Sequence, residues 1–304
     1  FLSIEMKGRF PVVGSQEATV AISLFDVTDG DDQMRPVLSI IEGFQEAKTK
    51  AYFDWREIGQ VSGDQGFIKW VEVGRVLPLF VQSPYSGARK LKIAIRLISS
   101  DAIGEIELGF GSFNNGQLFW TKIKDWNFDQ QAKGYSEAFE ETKECLGLSV
   151  KLAMSVAMAD GNLDETEGQV IKEWMTKVVT PYSDKNQIEI KDLLNVSMKD
   201  AFAAAKDGTL TYSTLVQRFN EIGDDGAKFE AMELCYDVMA ADGVADNDEI
   251  QLLHRLGDAL ELDIQELERL RDLKMMNLSA EVGMDDTSLL GIDSSWSDEQ
   301  VKKH

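Results

Sequence analysis

Read for the spacing of apolar and polar positions, the chain changes period once. In the first 128 residues, Thr19–Val27, Ala51–Arg56, Phe67–Val73, Leu91–Leu97 and Glu105–Phe110 alternate apolar with polar residues and are rich in Val, Ile, Phe and Trp. A period of two with that composition predicts half-buried strands. Asn114-Asn115-Gly116 lies between Glu105–Phe113 and Gln117–Ile123 and predicts a hairpin turn, because Asn and Gly tolerate positive φ. Short strands with no helix between them predict an antiparallel β-sandwich over residues 1–128. The acidic stretch Asp26–Asp32 after the first strong strand resembles the calcium loops of C2-like sandwiches, although a plain Asp/Gly turn accounts for it more simply.

A short linker, 129–134, separates this half from a helical one. From Tyr135 the apolar period lengthens to that of a helix. Cys145–Ala159 carries one charge, Lys151, and predicts a central buried helix. Glu165–Val179 sets Val170, Ile171, Trp174, Met175, Val178 and Val179 on one face, with Pro181 just beyond. Lys185–Lys206, Tyr212–Ile222, Lys228–Ala241, Asn247–Leu260 and Ile264–Met276 complete seven predicted helices with short connections, a compact bundle over 135–277. Residues 278–304 form a tail with a short helix, for which Ser297 is a suitable N-cap and Glu299 sits in the first turn. The predicted fold class is α+β in two domains.

Charge divides at the same place. Residues 1–128 hold 16 acidic and 14 basic side chains, and residues 129–304 hold 37 and 17, so nearly all of the net −22 belongs to the helical half. A field of that sign repels phosphate backbones and argues against direct nucleic-acid binding there. It favours cations or partners with a basic face. No run approaches the roughly 18 apolar residues of a transmembrane span. The opening stretch is broken by Glu5, Lys7 and Arg9, unlike a secretory leader. Cys145 and Cys235 sit in apolar helical runs without a pairing pattern, as buried thiols do in a reducing compartment. The expected location is the cytoplasm.

The helical half contains a repeat. Ala159–Glu167 and Ala241–Glu249 both read A-D-G-x-x-D-x-x-E, at an offset of 82 residues. Each copy follows an Ala/Met-rich run and opens an amphipathic one. Gly161 and Gly243 suit the left-handed position past a helix end. Asp164 and Asp246 suit N-caps, with Glu167 and Glu249 completing a capping box. Asp160 and Asp242 do not fit a capping account. They stand at helix C-terminal ends, where the macrodipole disfavours an anion by about 0.3–1 kcal/mol. Three readings stay open: a divalent cation such as Ca2+ held by Asp160, Asp164, Glu167, Asp242, Asp246 and Glu249; an acidic surface for a protein partner; and caps with solvated acids. The spacing is not that of an EF-hand, whose loop alternates acidic ligands around a central glycine.

On these residues the chain resembles a known family. Leu152–Trp174 and Ala231–Leu256, which carry the two copies, are similar to the TerB-like family. Its members are acidic helical domains of bacterial tellurite-resistance proteins, also found ahead of the J-domain in some membrane-anchored co-chaperones. The resemblance spans roughly Tyr135–Asn277. It implies a helical bundle without established catalysis, metal-associated acidic positions that map onto the six residues above, and links to stress or phage-defence systems with membrane-associated protein partners. Leu289–Lys303 resembles the opening of a J-domain, but the chain contains no His-Pro-Asp, so no J activity follows.

Catalytic signatures are wanting. Of two histidines, His254 lies in an amphipathic run beside Leu253 and Leu256, and His304 is terminal. The chain contains no phosphate-binding loop, nucleophile elbow, H-E-x-x-H or paired C-x-x-C. A two-metal hydrolytic site is the remaining enzymatic reading, weakened because neither acidic turn contains a histidine or lysine. The sequence therefore predicts a non-enzymatic, metal-responsive interaction protein, with a metal-free acidic scaffold as the alternative.

Overall fold

The computed structural model describes residues 1–269 apart from 112, 115, 160, 162, 242–246, 264 and 268, and only the backbone at 247–249. The chain divides into two compact units, Phe1–Phe139 and Glu140–His304.

The first unit is built on antiparallel strands. These are β1 (Leu2–Arg9), β2 (Ser15–Asp26), β3 (Arg35–Pro36), β4 (Leu38–Ser39), β5 (Phe53–Ser62), β6 (Gly66–Val76), β7 (Val81–Gln82), β8 (Gly87–Ser99), β9 (Ile106–Glu107), β10 (Phe110–Gly111) and β11 (Leu118–Gln130). The main sheet runs β11-β8-β2-β3, with β5 also paired to β2, and β1 pairs with β6 as a second layer. Ile4, Val73 and Val76 from the β1–β6 pair share one core with Val20, Ile22, Ile93, Ile95 and Leu97 from the main sheet. Burying each such side chain is worth about 1.5–3 kcal/mol, and this shared core holds the layers together. β2 is buried from Ala18 to Asp26 without alternation, because Ala21, Phe53, Ile98 and Ile106 form a smaller core on its other face.

Four of the expected strands are observed, as β2, β5, β6 and β8, whereas Glu105–Phe110 is split into β9 and β10 about a turn, and β1 is added to them. The sequence reading gave Phe1–Phe10 no strand, although Leu2, Ile4 and Met6 alternate toward the core. The expected hairpin around Asn114–Gly116 is corrected. Gly116 does take a positive φ of 89°, but it precedes β11, which pairs with β8. The hairpin falls earlier, between β9 and β10, around Leu108 (φ 53°) and Gly109 (φ 80°). A carboxylate decides this. Buried Glu46 accepts hydrogen bonds from the Leu108 and Gly109 backbone N–H groups and from the Thr49 hydroxyl (2.6, 2.5 and 2.6 Å). Successive N–H groups in left-handed backbone make a natural anion cradle.

β11 runs to Gln130, into the stretch that periodicity assigns to the linker. The first helical turn is held within the first unit. The Tyr135 hydroxyl donates to the Pro36 carbonyl (2.9 Å), and Glu137 accepts from the Ser86 N–H and hydroxyl and from the Gly134 N–H. Gly134 passes so close to Pro84 that a Cβ would lie 2.2 Å from its carbonyl oxygen, so this join requires glycine.

The helices are α1 (Tyr135–Ala157), α2 (Glu165–Val179), α3 (Asp184–Lys206), α4 (Tyr212–Ile222), α5 (Asp225–Met239) and α6 (Asn247–Ala259). α5 packs on α2 and α6, and α2 on α3. α1 approaches α3 at Gly147, where a Cβ would lie 2.9 Å from the Ser197 hydroxyl. Arg218 of α4 binds Glu144 of α1 through two hydrogen bonds (2.6 and 2.8 Å). The expected helix Ile264–Met276 and the tail 278–304, with Ser297 and Glu299, lie largely outside the described residues. No described helix is long and apolar enough to cross a membrane.

Candidate functional site

The repeat seen in sequence is also a repeat of helix boundaries. α1 ends at Ala157 and α2 opens at Glu165, and the offset of 82 carries these positions to Met239 and Asn247, where α5 ends and α6 opens. The helix ends on either side of the two copies are therefore equivalent.

The first turn is the better described. Gly161 has φ 92° and its N–H donates to the Met158 carbonyl (3.0 Å), closing α1 with the left-handed residue that the sequence predicts. Asp164 caps α2, accepting from the Thr166 N–H and hydroxyl (2.8 and 2.7 Å). Glu167 reaches back to accept from the Asp164 N–H (2.8 Å), so the predicted capping box is formed. The hydrogen bonds from Thr166 hold the Asp164 carboxyl below its usual range. Asp164 is exposed, whereas Glu167 is buried.

Of the six candidate ligands, the structure brings Asp164 and Glu167 together. Asp160, Asp242 and Asp246 lie outside the described residues, as does the side chain of Glu249, whose backbone lies in the first turn of α6. Among the described residues, no three His, Cys, Asp or Glu side chains gather as a metal site requires. In the described part of the first turn, Asp164 and Glu167 are both engaged in the cap, and Asp164 is also open to solvent.

Residues 182–272 match the family model described as tellurite resistance protein TerB. That stretch is TerB-like. The TerB match takes in α3 to α6 and with them the second acidic turn, while α1, α2 and the first turn precede it. The resemblance read from the sequence begins earlier, at Tyr135. Searches of curated proteins and of solved structures each return no match.

Other candidate chemistry resolves simply. In the acidic loop Asp26–Asp32, three aspartates hold basic side chains: Asp26 with Arg89, Asp29 with Arg35 and Asp31 with Lys92. That is an Asp/Gly turn neutralised by its surroundings. His254 is exposed between buried Leu253 and Leu256. Burial pushes the Cys145 thiol up to about 11, with Asp224 and Glu144 adding to it, and burial alone pushes Cys235 up to about 12. Neither thiol is set up as a nucleophile. One set of residues escapes the sequence reading. Lys122 and Lys124 alternate with Trp120 and Trp126 along β11, on the face whose β8 partners are Leu91, Ile93, Ile95 and Leu97. Lysines in register with core positions were the available signal.

Proposed function

We propose that this chain is a non-enzymatic interaction protein of a bacterial stress, tellurite-resistance or phage-defence system. Its β-rich unit docks a protein partner, and its TerB-like part responds to a divalent cation. The observation that carries the reading is the doubled A-D-G-x-x-D-x-x-E turn, set between equivalent helix ends in the strongly acidic half of the chain. In each copy the sequence sets an aspartate, Asp160 or Asp242, three residues beyond the end of a helix, whose dipole disfavours an anion, and a hard cation would offset that cost. Clustered carboxylates repel one another until a cation bridges them, so binding stabilises the folded state. The TerB match supports a link to tellurite resistance, and the absence of a catalytic signature supports the non-enzymatic reading. A cytoplasmic location, with membrane-associated partners, belongs to the same proposal.

A second reading, a metal-free acidic scaffold for basic partners, draws on the engagement of Asp164 and Glu167 in capping hydrogen bonds. Thermal unfolding of the chelator-stripped chain, with and without Ca2+, Mg2+, Mn2+ or Zn2+, separates the two. The cation reading expects the midpoint to rise with one cation, and the rise to vanish in Asp160→Asn/Asp242→Asn. No shift with any cation, together with a double variant as stable as the parent, leaves the scaffold.

A further inference from the structure

We propose that the β-rich unit captures an extended acidic peptide, added as a strand along the open edge of β1. The proposal rests on reading that unit as the partner-docking part, and gives it a surface and a partner chemistry.

A groove of about 510 Å³ lies within this unit, and seven consecutive residues, Glu5–Pro11, form one of its walls. Side chains of a strand alternate between faces, so an unbroken run along one groove presents its backbone edge to it. Among the described residues β1 pairs with β6 alone, which leaves alternate N–H and C=O groups on its other edge without a strand partner. The opposite wall is β11, which pairs with β8 alone among the described residues. Trp120, Lys122 and Lys124 of β11 line the groove, in register with Leu97, Ile95 and Ile93 of β8.

Inward-pointing lysines have a general use, since they discourage open sheet edges from pairing with stray chains. That accounts for Lys122 and Lys124 taken alone. It does not account for Lys7 and Arg9 across the groove, or for Trp70, which lines the same space and is 65% exposed. None of the four cations forms an ion pair among the described residues, whereas the three cations around the Asp26–Asp32 loop are all paired. Four unpaired cations against one glutamate, Glu5, make a basic groove on a chain of net charge −22.

The partner's chemistry follows from these walls. A free strand edge recognises extended backbone, which is the strand-addition mode of peptide binding. The cations select carboxylates, and Trp70, Trp120 and Ile95 select apolar residues between them. Nucleic acid and anionic membrane also carry negative charge, but the net charge of the whole chain repels such extended polyanions at long range. A short peptide of alternating acidic and apolar residues avoids most of that repulsion and uses the backbone edge, which a phosphate chain cannot.

The test uses the full chain and a fluorescein-labelled peptide of alternating glutamate and valine, as long as the 8 residues of β1. Fluorescence anisotropy is expected to show saturable binding. N-methylation at alternate peptide amides, which blocks strand pairing, and replacement of glutamate by lysine should each weaken it by about tenfold or more. Both comparisons use the unaltered protein, so they stand even where a variant folds poorly. Lys122→Glu/Lys124→Glu, checked for folding by circular dichroism, should lose affinity to the same degree. The proposal is overturned by no binding, by equal binding of the N-methylated peptide, or by tighter binding of a thymidylate oligonucleotide or of phosphatidylserine vesicles. The cation scan on the repeated turns is independent. A failure here beside a cation-dependent midpoint removes this ligand and leaves the cation reading standing.

Discussion

At the scale of single residues, the structure turns on a few buried charges that are fully engaged. Asp26 is 3% exposed and meets the Arg89 guanidinium through two hydrogen bonds (2.8 and 3.1 Å), and it also accepts from the Thr28 N–H (2.9 Å). Burial alone would push this carboxyl up. The hydrogen bonds from Arg89 and Thr28 outweigh burial and hold it below the usual aspartate range. A carboxyl whose pKa is lower folded than unfolded stabilises the fold above its unfolded value. That contribution is lost as pH falls through the folded one. Asp26→Asn removes the charge and strands Arg89, a loss of about 3 kcal/mol at neutral pH for a broken buried pair. The gap between parent and variant in denaturant unfolding should be widest at pH 7 and narrow as pH falls below the ordinary aspartate range, where the unfolded chain takes up the proton before the folded one does. A gap that stays constant down to pH 2 rules out the charge as the source of the stability.

At the scale of elements, the acidic turn between α1 and α2 shows how far local rules reach. Asp164 serves as a cap whatever else it does, so Asp164→Ala should lower the midpoint of chemical unfolding, while Asp164→Ser should recover most of the loss. If a cation is the main use of Asp164, serine fails to rescue, and the loss appears only when the cation is present. The capping box and the left-handed glycine were legible in the sequence because both are made by residues within one turn of each other. The helices were legible for the same reason, since an i, i+4 pattern carries its own period. The Asp26–Arg89 pair was not, because its partners lie 63 positions apart and nothing local marks them. The β9–β10 hairpin shows the opposite limit. Asn114-Asn115-Gly116 is the stronger turn signal, and the Gln117 N–H does donate to the Asn114 carbonyl, yet the strands that pair about a tight turn are β9 and β10, where Glu46, 62 residues before Leu108, holds the turn. β1 and the groove beside it were missed because a strand of eight residues with Lys7 and Arg9 in its second half reads as a polar segment until β6 pairs along one of its edges. For the candidate cation site, sequence supplied the residues and the repeat, and the described structure adds the equivalence of the helix ends.

At the scale of the whole molecule, the uneven charge is itself a force on the fold. Residues 129–304 hold 37 acidic and 17 basic side chains, so the acids outnumber the cations more than two to one. Exposed pairs such as Arg218 with Glu144 and Glu221 return little, because solvent screens them and two long side chains must be held in place. The summed repulsion of the unmatched acids therefore outweighs what the pairs contribute, and screening should stabilise the chain. Raising NaCl from about 0.02 M to about 0.5 M shortens the Debye length from about 20 Å to about 4 Å. The thermal midpoint is expected to rise over that range, with about 2–4 °C corresponding to about 1 kcal/mol for a unit of this size. A falling midpoint means that the pairs dominate and the excess acids are held too far apart to matter. The same experiment sets the baseline for the cation reading. A divalent ion compared at matched ionic strength has the screening already in place, so any remaining rise measures site binding alone. That residual should saturate at low millimolar or lower cation, whereas screening grows steadily with salt and is indifferent to which cation supplies it.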